Sequence, residues 1–453
     1  MDYEKVNTSV QKTQIESFDK SNHLFNLGLP NPFQLLSDPI AFFRAAAEAQ
    51  GPVARIQFGN REFVLLNDPE IIEDLLIRHS LSFEKFPRIS RTRGLFGEGL
   101  LTSEEPLHLK QRRLAQPAFH RDRLSAYADE MVAATTRLTA GWRNGEPINA
   151  AHDMGNLALD IVSQTLFSTQ TNSQSEQIGV ALDQVVRTLN HLVTPWGNLL
   201  LSIPSPLRRR YRAALKELDE IIYGFIADRR QSKTEHSDLL SMLMNAKDPE
   251  TGIGMPDLQL RDELMTMFVA GHDTTANALS WTLYMLSQHP EERQRMEEEI
   301  DRVLQGRPAT MADAAKLPQT AAVFRESLRL YPPVWILGRR ALKPIETPLI
   351  QLRSGAIVLV SMAVLHRRPE LFEDAELFVP GRREPEHRYA FLPFGAGSRL
   401  CIGERFAWLE GILCLATICQ KWRLDLVPGA QVEAQPLLTL RPRFGLPMIL
   451  TLR

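Results

Sequence analysis

Between about residues 65 and 330 the apolar positions recur mostly at helical spacing. In Leu215–Arg230, Leu218, Ile221, Ile222 and Phe225 fall at the i, i+3, i+4, i+7 intervals that gather on one face of an amphipathic helix. Leu258–His289 holds no proline, and Pro290 follows it directly. As one helix it spans roughly 48 Å at about 1.5 Å per residue, the length of a whole domain. After Leu264 it is apolar over most of its surface, which predicts burial at the centre of the molecule. Pro290–Leu304 then opens with proline at the first helical position and reads as a solvated surface helix.

Strand patterns lie elsewhere. Val53–Asn67 has two β-rich runs around Gly59-Asn60, a hairpin signal, and Ala356–Val364 and Leu446–Leu452 are further candidates. No repeat, low-complexity tract or Gly/Ser linker divides the chain. The expected fold is mainly α (α+β), one large domain over 25–453 with a long central helix and small sheets at its edge. Residues 1–24 read as a polar, flexible tail with no apolar core of a signal peptide.

Composition changes this picture little. The chain is 453 residues long, 44% hydrophobic and 23% charged, with a formal net charge of -2. Nucleic acid is a poor partner for such a balance. No apolar run approaches the ~18–20 residues of a membrane span. Three cysteines, Cys401, Cys414 and Cys419, make a poor disulfide framework, and a reducing cytoplasm fits them.

The chemistry concentrates in Phe394–Glu404, "FGAGSRLCIGE". Cys401 stands among Gly395, Gly397 and Gly403, beside Arg399 and just before an apolar-rich helix. Glycine lets backbone approach a ligand closely, and a helix N-terminus favours a thiolate. An inert cysteine in a turn is the plain alternative. The pattern Phe394-x-x-Gly397-x-Arg399-x-Cys401-x-Gly403 resembles the haem-binding signature of the cytochrome P-450 superfamily, in its soluble bacterial form. The resemblance implies haem b with Cys401 as axial iron ligand and Arg399 on a haem propionate.

Other stretches resemble the same family. Glu326 and Arg329, followed by Pro332-Pro333, match its Glu-x-x-Arg, a structural pair that locks an arginine behind the haem. Arg382, in Pro380–Arg383, occupies that arginine's place, although the usual flanking glutamate and phenylalanine are missing. His108 and Arg112, four apart on one helical face, match the propionate-crossing helix, and Arg339 matches a further propionate arginine. "AGHDTT", Ala270 and Gly271 through Asp273, Thr274 and Thr275, matches the oxygen-activation motif, in which Asp273 and Thr274 form an acid–alcohol proton relay. His272 is expected outward or locally bonded.

The implied activity is monooxygenation: one atom of O2 enters a hydrophobic substrate such as a fatty acid, terpenoid or polyketide. Electrons are expected from a separate ferredoxin or flavodoxin-type donor with its reductase, since no flavin or nicotinamide domain follows the cysteine helix. Lys110, Arg112, Arg113, Arg121 and Arg123 are candidates for its docking face. By family position the substrate pocket takes Phe268, Ala270, Trp335, Ile336, Leu337, Thr439, Leu440 and the loop Phe86–Phe96. Residues 193–212 are expected to cover substrate entry. A peroxide-using or isomerising haem-thiolate enzyme and a haem sensor are the competing classes. Both keep Cys401, and neither requires the Asp273-Thr274 pair.

Overall fold

The computed structural model describes residues 34–453 apart from 59–60, 88, 169–177, 180, 183, 186–187, 189–204, 233–237 and 248–251. The expected tail, and most of the segment expected to cover substrate entry, lie outside the described residues. The helices that build the site are α1 (Pro39–Gln50), α2 (Leu107–Ala115), α3 (Arg121–Ala140), α4 (Ala150–Phe167), α5 (Pro206–Gln231), α6 (Asp257–Gln288), α7 (Pro290–Leu304), α8 (Pro318–Leu330) and α9 (Glu404–Cys419). Sequence punctuation explains several of their ends. Pro206 and Pro290 start α5 and α7 at positions where a missing N–H costs nothing, and the Ser205 side chain caps α5 by accepting from Arg208 N.

The helix expected over Leu258–His289 is present as α6, one residue offset and 32 residues long. Almost every position from Leu260 to Val269 and from Thr275 to Leu283 is buried. Thr266, Thr274, Ser280 and Thr282 donate back to carbonyls one turn earlier, and the helix continues unbroken through them. Gly271 answers a packing need: a Cβ there would meet Val162 Cγ2 of α4 at 2.7 Å. α4, α8 and α9 pack on α6, and α3 packs on α4 and α9, in one large core.

The strands lie to the side. β1 (Val53–Phe58), β2 (Arg61–Leu66), β3 (Phe83–Lys85), β5 (Leu337–Ala341) and β8 (Ile357–Val360) form one sheet in the order β1-β2-β8-β5-β3. Val53 pairs with Leu66 and Phe58 with Arg61, the hairpin expected around Gly59-Asn60. β4 (Pro147–Asn149), β9 (Trp422–Leu426) and β12 (Pro447–Leu452) form a second sheet. β6 (Ile345–Glu346) pairs with β7 (Gln351–Leu352), and β10 (Ala434–Pro436) with β11 (Leu440–Pro442). Among the described residues no helix is long and apolar enough to cross a membrane.

α8 is tied to the chain behind it by a buried ion pair. Arg329 donates to both oxygens of Glu326, Nε at 2.9 Å and Nη2 at 2.8 Å. Its remaining donors reach the carbonyls of His366, Ala375 and Leu377. Glu326 also accepts from Val379 N at 3.0 Å and Arg382 Nε at 3.3 Å, so the three residues expected to act together do meet. Breaking such a pair leaves a buried charge uncompensated. Glu326→Gln is expected to cost about 3–5 kcal/mol of stability, read as a fall in the denaturant midpoint.

A second buried carboxyl has a different fate. Glu410 of α9 accepts from Thr275 of α6 at 3.1 Å, while its other oxygen is unpaired. Burial pushes it up to about 8. Because its folded value exceeds the unfolded one, its contribution to stability is present at acid pH and lost as pH rises through about 8. Glu410→Gln is therefore expected to remove a slope of up to about 1.4 kcal/mol per pH unit between roughly pH 5 and 8. Melting temperatures across that window, wild type against variant, measure it.

Candidate functional site

The turn carrying Cys401 closes on itself. Cys401 N donates to Phe394 O at 3.0 Å and Leu400 N to Gly397 O at 3.0 Å, while the Phe394 ring packs against Trp408 of α9. Gly397 sits at φ +72, and a Cβ there would collide with the Leu76 carbonyl. Its glycine is required by the neighbouring protein backbone as well as by its own conformation. Gly403 has a negative φ, and a Cβ there would meet ordinary contacts, the Cys401 sulfur among them at 4.0 Å; its backbone favours the thiolate.

Cys401 keeps accessible surface, yet its sulfur lies deep among protein atoms. Burial pushes the thiol above its ordinary value, against the pull of the Gly403 N–H and the Arg112 guanidinium. The pull towards the thiolate expected beside a helix start is present, and desolvation opposes it. A bound metal cation reverses that balance, because a coordinating thiol is deprotonated outright. Cys414 and Cys419, by contrast, are fully buried in α9, and burial pushes both thiols up to the edge of the alkaline range or beyond.

Around this turn the fold collects positive charge. Arg399 donates to Ser103 O at 2.9 Å and to Glu104 at 2.8 Å, and lies 3.6 Å from Glu105. Arg112 reaches over to Leu400 O at 2.6 Å, next to Cys401. His108 Nδ1 is 2.9 Å from Glu105. Arg339 of β5 donates to Gly338 O, and Lys85 of β3 to Leu100 O at 2.8 Å.

These groups push one another down. Burial first, and then Arg399, lower Lys85 to about 7, His108 to about 4 and Arg339 to about 10. Burial also lowers Arg112 and Arg399. Glu104 and Glu105 offset the crowding only in part. Four basic side chains and a histidine against two carboxylates, close to the exposed Cys401, fit an anionic macrocycle with two propionates. His108, Arg112, Arg339 and Arg399 were legible as candidates in the sequence. Lys85, Ser103, Glu104 and Glu105 were not, since no local pattern marks a residue about 300 positions from the cysteine it serves.

On α6 the accessible positions are few. Ala270 is exposed, and Gly271, His272 and Thr274 are half-buried, in the middle of an otherwise buried helix. This opening coincides with the motif. The Thr274 hydroxyl donates to Ala270 O at 2.6 Å. The carboxylate of Asp273 points elsewhere: it accepts from Thr439 at 2.5 Å and from Arg441 at 2.9 Å, both on or beside β11. Asn277 reinforces this arrangement by donating to Asp273 O and to Thr439. His272 turns towards α4, with its Nε2 3.7 Å from where a Cβ of Gly155 would lie. Arg441 had no signal in the sequence.

Several residues expected in a substrate pocket serve the core. Phe268 is 1% exposed and packs against Phe167 of α4. Trp335 packs with Phe43 of α1, and its indole N–H, which needs a partner when buried, donates to Leu437 O. Leu440 is buried, and its carbonyl accepts from Trp281. Thr439 holds Asp273, and Ile336 packs beside Trp335. Ala270 and Leu337, which approaches the Gly395 position, remain placed towards the site.

The Cytochrome P450 family model matches residues 29–447. Cyclooctatin synthase of Streptomyces melanosporofaciens is 35% identical, with 88% of each chain covered. Cyclooctat-9-en-7-ol 5-monooxygenase of the same organism is 35% identical over 88% of this chain and 90% of its own. Pentalenene oxygenase of Streptomyces avermitilis is 33% identical over 90% and 91%. The solved haem domain of cytochrome P450DA superposes with a TM-score of 0.83 at 27% identity, covering 92% of this chain and 93% of that one. With the family model spanning all but the two ends of the chain, this protein belongs to the cytochrome P450 family and is a haem-thiolate monooxygenase.

Proposed function

We propose that residues 25–453 form one haem domain that oxygenates a hydrophobic, terpenoid-like substrate, the class named in cyclooctat-9-en-7-ol and pentalenene. The observation that carries the site assignment is the exposed Cys401, with Arg112 beside it and Arg399 two residues before it, joined to Lys85 and Arg339 in one cationic cluster. Cys401 would supply a thiolate ligand to the iron of haem b. The basic side chains and His108 take the two propionates, and proximity to those anions relieves their mutual repulsion. When bound, haem supplies the activation of O2 and the transfer of one oxygen atom to substrate.

The remaining chemistry belongs to the chain. Thr274 Oγ1 holds its proton on Ala270 O, at the exposed point of α6. To serve as a proton donor it turns that hydrogen outward and is resupplied from behind. Asp273 is the adjacent carboxylate, and reaching Thr274 requires it to loosen from Thr439 and Arg441 or to work through water. The buried side chains of α6 exclude bulk water around this step. Electrons arrive from a separate ferredoxin or flavodoxin-type protein with its reductase. Lys110, Arg113 and Arg121 are exposed and offer it a basic face. Cytoplasmic work fits the three unpaired cysteines.

Cys401→Ser is expected to abolish the thiolate-type spectrum of the reduced carbon monoxide complex; a surviving band would move the ligand elsewhere. Thr274→Ala is expected to keep haem and substrate binding while product per electron falls about tenfold or more, with hydrogen peroxide released instead. Unchanged product per electron would remove Thr274 from proton delivery and favour a peroxide-using or isomerising reading.

A further inference from the structure

α6 begins with polar residues that a buried helix does not need for its own stability. Arg261, Asp262 and Glu263 are 6%, 5% and 1% exposed. Charged side chains reach such depth only when paired. All three turn onto the segment that follows Leu95. Arg261 Nη1 donates to Leu95 O at 2.6 Å and is braced from behind by Asp219 of α5. Asp262 accepts from Glu98 N at 2.8 Å, and Glu263 accepts from Leu100 N at 3.0 Å. Gln111 of α2 and Gln259 of α6 both donate to Glu98 O, at 2.6 and 3.3 Å.

The segment is shaped to receive this grip. Gly97 lies at φ +51, and a Cβ there would collide with the Asp262 carboxylate. A Cβ at Gly99 would collide with Thr266 Oγ1 and the Asp262 backbone. Beyond the grip, Thr102 donates back to Gly97 O at 2.7 Å, and the Ser103 hydroxyl donates to Gln111. Ser103 O and the Glu104 carboxylate then receive Arg399, two residues before Cys401. One strap, 97–104, thus runs from the polar start of α6 to the cationic rim of the site. Glu263 lies seven residues before Ala270, about 10 Å along the helix.

The carboxylates do a task that apolar residues cannot. The Leu100 N–H is held where water is excluded and the Glu98 N–H where it is partly so, and a charged acceptor makes a stronger bond than a neutral one. Glu263 is placed there in spite of its own burial, which pushes it up to about 7 against the Leu100 and Gln259 hydrogen bonds.

We propose that Asp262 and Glu263 are positioning residues that, by holding the amides of Glu98 and Leu100, fix the 97–104 strap at the cationic rim of the site and set how bulky a ligand the site admits. The proposal rests on reading Cys401 and the partly accessible positions Ala270, Gly271 and Thr274 of α6 as parts of one site. Glu263→Met removes the acceptor while keeping the volume, and Glu263→Gln restores a carbonyl acceptor.

The holoproteins are compared in two measurements. Amide hydrogen exchange over 97–103 is expected to quicken tenfold or more in Glu263→Met and to return most of the way in Glu263→Gln. Binding of 4-phenylimidazole to the ferric protein, followed by its absorption shift, is expected to change fivefold or more in Glu263→Met. Binding of imidazole, small enough to ignore the strap, is expected to stay within twofold. Unchanged exchange, or equal shifts for the two azoles, overturns the proposal. Where Glu263→Met yields no folded holoprotein, Gly99→Ala displaces the strap from its own side and is read the same way. Failure of the ligand assignment appears separately, as a thiolate-type spectrum that persists in Cys401→Ser.

Discussion

A 32-residue helix buried through the middle of a protein must find a partner for every polar group it carries, and this demand organises the molecule. The backbone of α6 satisfies itself, but Arg261, Asp262, Glu263, Asp273, Thr275 and Asn277 do not. They recruit several elements: Asp262 and Glu263 take the strap, Arg261 takes Leu95 just before it and Asp219 of α5, Asp273 and Asn277 take Thr439, and Thr275 takes Glu410 of α9. The helix is thus a core element that ties the strap, β11 and the cysteine helix to one axis. Its accessible middle, Ala270–Thr274, is where small residues replace large ones.

The cationic rim follows a related logic. Lys85, Arg339 and Arg399 come from strands and turns far apart in sequence, and alone they would repel one another. Glu104 and Glu105 hold them in place without neutralising them. The residual positive charge is available to an anion, and the strap that supplies Glu104 is the one that α6 grips. Placement of charge at the rim and burial of α6 are therefore two ends of one constraint.

Local patterns carried much of this before any fold was considered. The period of α5 and α6, the proline starts and the hairpin around Gly59-Asn60 depend on neighbours within a few residues, and the structure has them. The cysteine turn was legible because its requirements are local: Gly397 must take a positive φ, and Cys401 N must close on Phe394 O. Pocket residues were less legible. Phe268 and Trp335 are apolar in a way that suits a pocket or a core equally, and only the position of Phe167, Phe43 and the Leu437 carbonyl decides which.

The sequence by itself determined the family, the reaction class and the residue types at the chemical centre, because those reside in contiguous motifs with fixed spacing. Tertiary structure alone decided the partners. Asp273 stands next to Thr274 in the chain yet faces Thr439 and Arg441, because successive residues on a helix point about 100° apart and the inward one must satisfy its charge in the core. At Cys401 likewise the sequence shows the helix start that favours a thiolate, and only the folded chain shows the burial that opposes it. Spacing fixes which groups exist, and desolvation and long-range pairing fix what state they are in.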